Sequence, residues 1–267
     1  MADKDVTNIA CDLDTEWVEK NYQSSWKDRF EEDGFLVIRD LIQDERVMKS
    51  YIKSYEELLD SSETTDHRFD LGSHKDEQNQ NNEKKKENIC QIMWPSMYDG
   101  TFLERPIFKR LLTVVRKILG EDMDFDFDML INKFPYSGTP TPWHQDESYW
   151  PDMPDKRAVS CWVALDDATV ENGCMWFVRG SHQEEALRPH RRVKEGHHAR
   201  CTDSCSEREG RPQPLKGGSC TLHHGRTLHY TRGNNTGTNR RAYILNFRPK
   251  EMVQWERDRG FDHGKTQ

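Results

Sequence analysis

His144 and Asp146 stand two residues apart in the stretch TPWHQDESYW. On an extended chain, residues i and i+2 project from one face, so an imidazole and a carboxylate point together. Far downstream, LHHGRTLHYTRGN supplies a second histidine, His229. Two imidazoles and one carboxylate gripping a single side of a metal form the facial triad of non-haem Fe(II) oxygenases. The opposite side stays open, for a chelating cosubstrate and then O2. An H-x-D pair alone is a weak signal in a chain with 11 histidines. The context strengthens it. Arg240 stands just before the apolar run AYILNF. A 2-oxoglutarate cosubstrate carries a distal carboxylate, and the arginine fork matches a carboxylate with two parallel hydrogen bonds. Thr231 shares the face of His229 if that segment is extended, and its hydroxyl can reach the same carboxylate. Arg240 and Arg241 are adjacent and point opposite ways, so only one faces inward. The same holds for His223 and His224. These two and His182, in RGSH, read as supporting or structural histidines rather than ligands.

A second constellation is GHHARCTDSC, where His197, His198, Cys201 and Cys205 could coordinate zinc. Structural zinc normally uses two separated ligand pairs, so a solvated loop is the stronger reading of this stretch. The seven cysteines are odd in number and irregularly spaced, which argues for reduced thiols rather than a disulfide framework. With 39 Lys+Arg against 47 Asp+Glu the net charge is −8, which disfavours a nucleic-acid partner. No apolar run approaches the ~18 residues of a membrane span. The N-terminus lacks the basic and apolar regions of a secretory signal, so a cytoplasmic protein is expected.

Asp14 is placed to cap a helix carrying Trp17, Val18, Tyr22 and Trp26. FLVIRDLI suits a strand entering a core. Asp44 caps a helix with Val47, Tyr51, Tyr55, Leu58 and Leu59 at helical spacing. Residues 61–89, which include NQNNEKKKEN, cannot offset their ordering entropy by burial and read as a mobile loop or lid. Pro106 and Gly120 bracket a third helix. Then the period changes from 3.6 to 2. Met123, Phe125, Phe127, Met129 and Ile131 alternate with Asp124, Asp126, Asp128, Leu130 and Asn132. The first set is expected to pack on the helices. The other face, at its Leu130–Asn132 end, is expected to look into a cavity or solvent. SCWVAL, CMWFV, SCTLHH and AYILNF read as further strands, with Asn172-Gly173 as the sharpest turn. The expected architecture is an all-β core, a double-stranded β-helix of jelly-roll type, flanked by N-terminal helices. The helical layer covers residues 1–120 and the barrel 121–250 of a single domain, 1–267.

The motifs MLINKFP, WHQDESYW, CWVALDDATVENGCMWFVRGSH and HHGRTLHYTRGNNTGTNRRAYILNF occur in that order, after the opening FEEDGFLVIRDLI. Together they resemble the phytanoyl-CoA dioxygenase family of Fe(II)/2-oxoglutarate oxygenases, over about residues 28–248. The WHQD-x-x-x-W stretch is also similar to the related ectoine hydroxylases. The resemblance implies Fe(II), 2-oxoglutarate and O2 as cofactors. It places the metal ligands on His144, Asp146 and His229, and the cosubstrate groups on Arg240 and Thr231. Trp162 matches a family tryptophan beside the cosubstrate. Asn132 matches a cosubstrate-side position in ectoine hydroxylases, and Lys133 a lysine of the phytanoyl branch. Only one of that pair points inward, and Asn132 is favoured by the expected strand face. Gln91 lies where the family often has a polar group near the keto-acid end. The implied reaction converts 2-oxoglutarate and O2 to succinate and CO2 while hydroxylating an unactivated C–H bond. An aspartate ligand argues against halogenation, which uses a small residue there. An inactive binding protein of the same family is the alternative, although such a relative would be expected to lose a ligand or the arginine.

The substrate is expected to be a small molecule. Tyr136, Trp143, Tyr149, Trp150 and Trp176 around the motifs suit apolar or cationic contacts as well as core packing. Arg188, Arg191, Arg192, Lys194 and Arg200 follow RGSH, where the family places a loop near the active-site mouth. On an acidic chain that basic lip hints at an anionic substrate.

Overall fold

Alternating apolar residues build two antiparallel sheets that face one another, and the computed structural model describes them within residues 14, 16–71, 87–193 and 199–266. The larger sheet contains β1 (Phe35–Ile38), β2 (Arg68–Asp70), β3 (Ile89–Met93), β4 (Met123–Lys133), β6 (Val159–Ala164), β11 (Cys220–His224) and β13 (Arg240–Pro249). Its order is β1-β11-β6-β13-β4-β3-β2. The smaller sheet contains β5 (Thr141–His144), β7 (Met175–Phe177), β10 (Arg211–Gln213) and β12 (His229–Thr231), in the order β10-β7-β12-β5. A separate hairpin joins β8 (Arg191–Arg192) to β9 (Arg200–Cys201). This is the expected jelly-roll plan.

The apolar stripes of the helices cover the outer face of the large sheet. Helix α1 (Ser25–Asp33) contributes Trp26 and Phe30, α2 (Glu45–Asp60) contributes Tyr51 and Tyr55, and α3 (Pro106–Leu119) contributes Leu111 and Val115. They pack on Leu130, Cys161, Leu222 and Leu245 of the sheet. The Asp44 carboxylate caps α2 by accepting from Arg46 N at 2.8 Å. The first helix differs from expectation. Helical backbone stops at Asn21, and α1 starts afresh at Ser25. Asp14 does not cap it; its buried carboxylate accepts from Arg110 Nε at 3.1 Å instead.

A second core lies between the sheets, with Trp162, Phe177, Ala242 and Ile244 at its centre and Met129 and Ile131 packed against it. The expected faces of β4 hold at its start, where Met123 and Phe125 pack with the helical core, and exchange beyond the register irregularity opposite Asn246 and Phe247. Leu130 faces the helices, and Met129 and Ile131 face the interior. The strand is buried on both sides, so its alternation gives the period but not which set points where. Asp128 is tolerated on the helix side because Tyr243 Oη and Ser96 Oγ each donate to it at 2.9 Å. Asp126 pairs with Arg248 and Arg257.

The expected loop 61–89 is built at both ends. Ser62–His67 forms a 3-10 turn, β2 pairs with β3, and Arg68 pairs with Glu87 at 2.6 Å. The ladder and the ion pair supply what burial does not. Its polar middle, 72–86, lies outside the described residues. At the Asn172-Gly173 turn, the Asn172 side chain accepts from Thr169 N at 2.7 Å. Gly173 has φ +94°, and a Cβ there would meet the Arg232 carbonyl at 2.5 Å.

Candidate active site

His144 ends β5 and His229 begins β12, and the two strands pair with these residues opposite one another. Cross-strand partners share a face, which brings the imidazole centroids to 4.0 Å. Each ring is held in the same way. Nδ1 of His144 donates to the Pro142 carbonyl at 2.8 Å, and Nδ1 of His229 to the Thr227 carbonyl at 2.9 Å. That leaves both Nε2 lone pairs for a metal. Asp146 does not continue β5 as expected but opens a 3-10 turn, Asp146–Tyr149. Its Oδ1 still lies 3.5 Å from His144 Nε2 and 3.4 Å from His229 Nε2. One ligand atom from each of the three residues falls within 4.8 Å of the others.

Burial, and then the neighbouring His229, pull the His144 pKa down, which keeps that imidazole neutral at pH 7. Burial alone would raise Asp146. His229, His144 and His223 outweigh it and hold the carboxyl well below its usual range. Two imidazoles with their Nε2 atoms turned inward and an ionised carboxylate, converging on one point, fit a divalent metal such as Fe(II).

Arg240 begins β13 and is 1% exposed, with Nε and Nη1 lacking any hydrogen-bond partner. Its guanidinium lies 5.2 Å over the Trp162 ring, which faces the interior from β6. Burial pulls it down to about 10, so it stays charged at neutral pH. Arg241 points the other way and is spent on Asp166 and Glu56, at 2.8 and 2.7 Å. The buried Thr231 hydroxyl is also unpartnered. A buried, uncompensated guanidinium with a free hydroxyl in the same interior fits the distal carboxylate of a keto acid.

Lys133, not Asn132, accompanies Arg240. Arg240 pairs with Lys133 and Arg241 with Asn132, so Asn132 lies on the helix-side face and its amide donates to Asn239. The physical reason is the irregularity in β4 opposite Asn246 and Phe247, beyond which the faces of the strand exchange. Gln91 pairs with Ile131, which places it on the interior face, and its amide lies 3.0 Å from Met129 Sδ.

His223 sits beside the triad and His224 behind it. The His223 Nε2 is 3.2 Å from Asp146 Oδ2, whereas His224 packs 5.6 Å from His182, outside the site. His197 and His198 of the zinc constellation lie outside the described residues, as does Lys194 of the lip. Arg188 is engaged by Glu184 and Glu209, and Arg191 by Asp203. Two of the five lip cations are therefore neutralised, while exposed Arg192 and Arg200 make no ion pair with the described residues. Arg200 lines a cavity of about 330 Å³ together with His190, Trp150 and Glu147. Among the aromatic residues, Trp150 carries Arg248 at 3.8 Å, Trp143 stacks on Tyr230 at 5.0 Å, and Tyr136 is 71% exposed. Trp176 lies against Arg232, and the Tyr149 hydroxyl accepts from Arg200 N at 2.7 Å.

Three features escape the sequence reading. Ser160 donates to Asp146 Oδ2 at 2.7 Å, with Asn246 beside it. Fully buried Gln145, between the two proposed ligands, ties the strand end to the lip through Arg188 N and the Arg226 carbonyl. Only strand register could have found the first pair. A second acid–histidine group, Asp126, Glu256 and His263, has ligand-like spacing, but Arg248 and Arg257 neutralise its carboxylates.

A family model described as phytanoyl-CoA dioxygenase matches residues 30–242. Phytanoyl-CoA dioxygenase domain-containing protein 1 of Danio rerio is 32% identical over 48% of this chain and 45% of its own length. A probable alpha-ketoglutarate-dependent hypophosphite dioxygenase of Stutzerimonas stutzeri is 33% identical over 51% of this chain and 49% of its own. The matched regions thus span about half the length of these two relatives. The crystal structure of EvdO2 from Micromonospora carbonacea var. aurantiaca with 2-oxoglutarate superposes with a TM-score of 0.70 and 27% identity, covering 85% of this chain and 90% of that one. No described helix is long and apolar enough to cross a membrane. The chain belongs to the phytanoyl-CoA dioxygenase family of Fe(II)- and 2-oxoglutarate-dependent oxygenases.

Proposed function

We propose that the chain, as one oxygenase domain over residues 1–267, hydroxylates an unactivated C–H bond of a small anionic molecule. His144, Asp146 and His229 would hold Fe(II). Arg240 would hold the distal carboxylate of 2-oxoglutarate, with Thr231 and Lys133 beside it and Trp162 beneath it. The bound metal and cosubstrate supply the oxidising chemistry, in which 2-oxoglutarate and O2 yield succinate, CO2 and one oxygen atom for the substrate. The chain's own part is alignment and exclusion of water. The two Nδ1–H bonds to backbone carbonyls stop the imidazoles from turning. Trp162 walls the cosubstrate side with apolar surface. The observation that carries the reading is Arg240, a buried cation with unused donors in the same interior as the triad.

Support for an anion is more local. Arg200 lines the cavity without an ion-pair partner among the described residues. The bacterial relative's name also specifies an anionic compound. A non-catalytic binding protein would have no use for the complete set of triad and arginine.

His144→Ala and Asp146→Ala should each abolish succinate formation from 2-oxoglutarate, assayed over a panel of acyl-CoAs, carboxylates, phosphonates and betaines. Wild-type turnover in either variant would refute the ligand assignment. Stimulation by betaines and by none of the anions would refute the substrate class.

A further inference from the structure

Asp146 has two carboxylate oxygens, and the fold treats them differently. Oδ1 faces Nε2 of His144 and His229. Oδ2 turns to the large sheet, where Ser160 Oγ lies at 2.7 Å and His223 Nε2 at 3.2 Å. Ser160 and His223 are cross-strand partners on β6 and β11, and Asn246 on β13 is the partner of Ser160 on its other side. All three are buried. They form one polar row across three strands, and the row ends at the carboxylate.

The hydrogen count fixes the direction of this row. Asn246 Oδ1 lies 2.7 Å from Ser160 Oγ, while its Nδ2 has no partner. Ser160 has one proton and cannot give it to both Asn246 and Asp146. Turning the Asn246 amide over removes the conflict, since amide oxygen and nitrogen are interchangeable in shape. Nδ2–H then donates to Ser160 Oγ, and the Ser160 proton goes to Asp146 Oδ2. His223 gives the second bond as the Nε2–H tautomer. Its ring is pinned between His229 and Phe177, at centroid distances of 4.4 and 5.3 Å.

We propose that Ser160 and His223 are positioning residues of the metal site. With Asn246 behind Ser160, they occupy Oδ2 of Asp146 and make that residue a one-oxygen ligand. The inference rests on reading Asp146 as a ligand. A carboxylate with a free second oxygen can swing to grip a metal with both, and so take a position that a cosubstrate or O2 needs. Two donors on Oδ2 prevent the swing. Such supporting bonds are commonly worth about 10–100-fold in metal affinity.

The test titrates the metal-free protein with Co(II) alone, and reads affinity and the visible absorption of the bound ion, which reports coordination number. Ser160→Ala and His223→Leu should each weaken Co(II) binding by about 10-fold or more and shift the spectrum. His223→Gln, which keeps an N–H donor, should recover affinity to within a few-fold and restore the spectrum. Ser160→Thr, which keeps the hydroxyl, serves the same purpose at the other donor. Thermal melts of the metal-free variants show that each is folded. Asp146→Ala separates the two levels of argument. If it loses Co(II) while Ser160→Ala and His223→Leu bind with wild-type affinity and spectrum, the positioning role is overturned and the triad stands. If Asp146→Ala binds Co(II) like the wild type, the triad falls and the positioning role with it.

Discussion

Arg240 carries its charge inside the protein beside Lys133, its cross-strand partner, and neither has a carboxylate bonded to it among the described residues. Burial and the nearby guanidinium push Lys133 well below its ordinary pKa. Its Nζ donates to the Thr139 carbonyl at 2.8 Å, which satisfies only part of its bonding capacity. Unpaired buried cations cost stability. We therefore expect Arg240→Met to leave the melting temperature of the ligand-free protein unchanged or higher. In the metal-loaded wild type, 2-oxoglutarate at a hundredfold its Kd should add about 2.7 kcal/mol. The variant should lose that gain, and thermal melts with and without 2-oxoglutarate check both parts. A full ligand-induced shift in the variant would move the carboxylate site elsewhere. The triad was legible because metal chemistry admits few residue types and His144, Asp146 and His229 supply them. The family resemblance singles out Arg240 over Arg241, whereas choosing Lys133 over Asn132 needed the register of β4 against β13. Ser160 and Asn246 are ordinary strand residues by type, and only their neighbours give them a role.

The turn that carries Asp146 depends on a glycine in another element. Glu147 N donates to the Gly225 carbonyl at 2.9 Å, and the Trp150 ring covers Gly225 so closely that a Cβ would come within 2.3 Å of it. Gly225→Ala must displace Trp150 or the turn. Overpacking of this kind typically costs about 1–3 kcal/mol. Urea unfolding should show that loss, and Co(II) titration should show weakened binding, because the displaced turn begins at Asp146. Long, strongly periodic elements such as α2, α3 and β4 could be read from sequence. The short strands β5, β10 and β12 could not, since three or four residues do not establish a period. β5 and β12 nevertheless carry both ligand histidines.

At the scale of the molecule, the C-terminal helix α4 (Lys250–Arg257) is locked to the large sheet by charge. Asp126 meets Arg248 at 2.5 Å and Arg257 at 2.6 Å, and His263 reaches both Asp126 and Glu256 at 3.2 and 3.1 Å. Breaking a buried pair leaves a lone charge, at about 3–5 kcal/mol. Arg257 still pairs with Asp126 when Arg248 is gone, so Arg248→Met should lose part of that stability in urea unfolding. Adding Asp126→Asn should restore part of it, and a double variant as weak as the single one would show that packing, not charge, holds the helix. Nothing in the sequence pattern announces this lock, because its members come from β4, β13, α4 and the C-terminal turn.

The two imidazoles ride on the small sheet, while the groups gripping Asp146 from behind ride on the large one. The distance between acid and imidazole is therefore a caliper reading of how far apart the two leaves stand. Phe177 and Trp162, which prop the leaves from within, help set that reading. Shaving either ring would misalign the metal's grip without touching any atom that binds it.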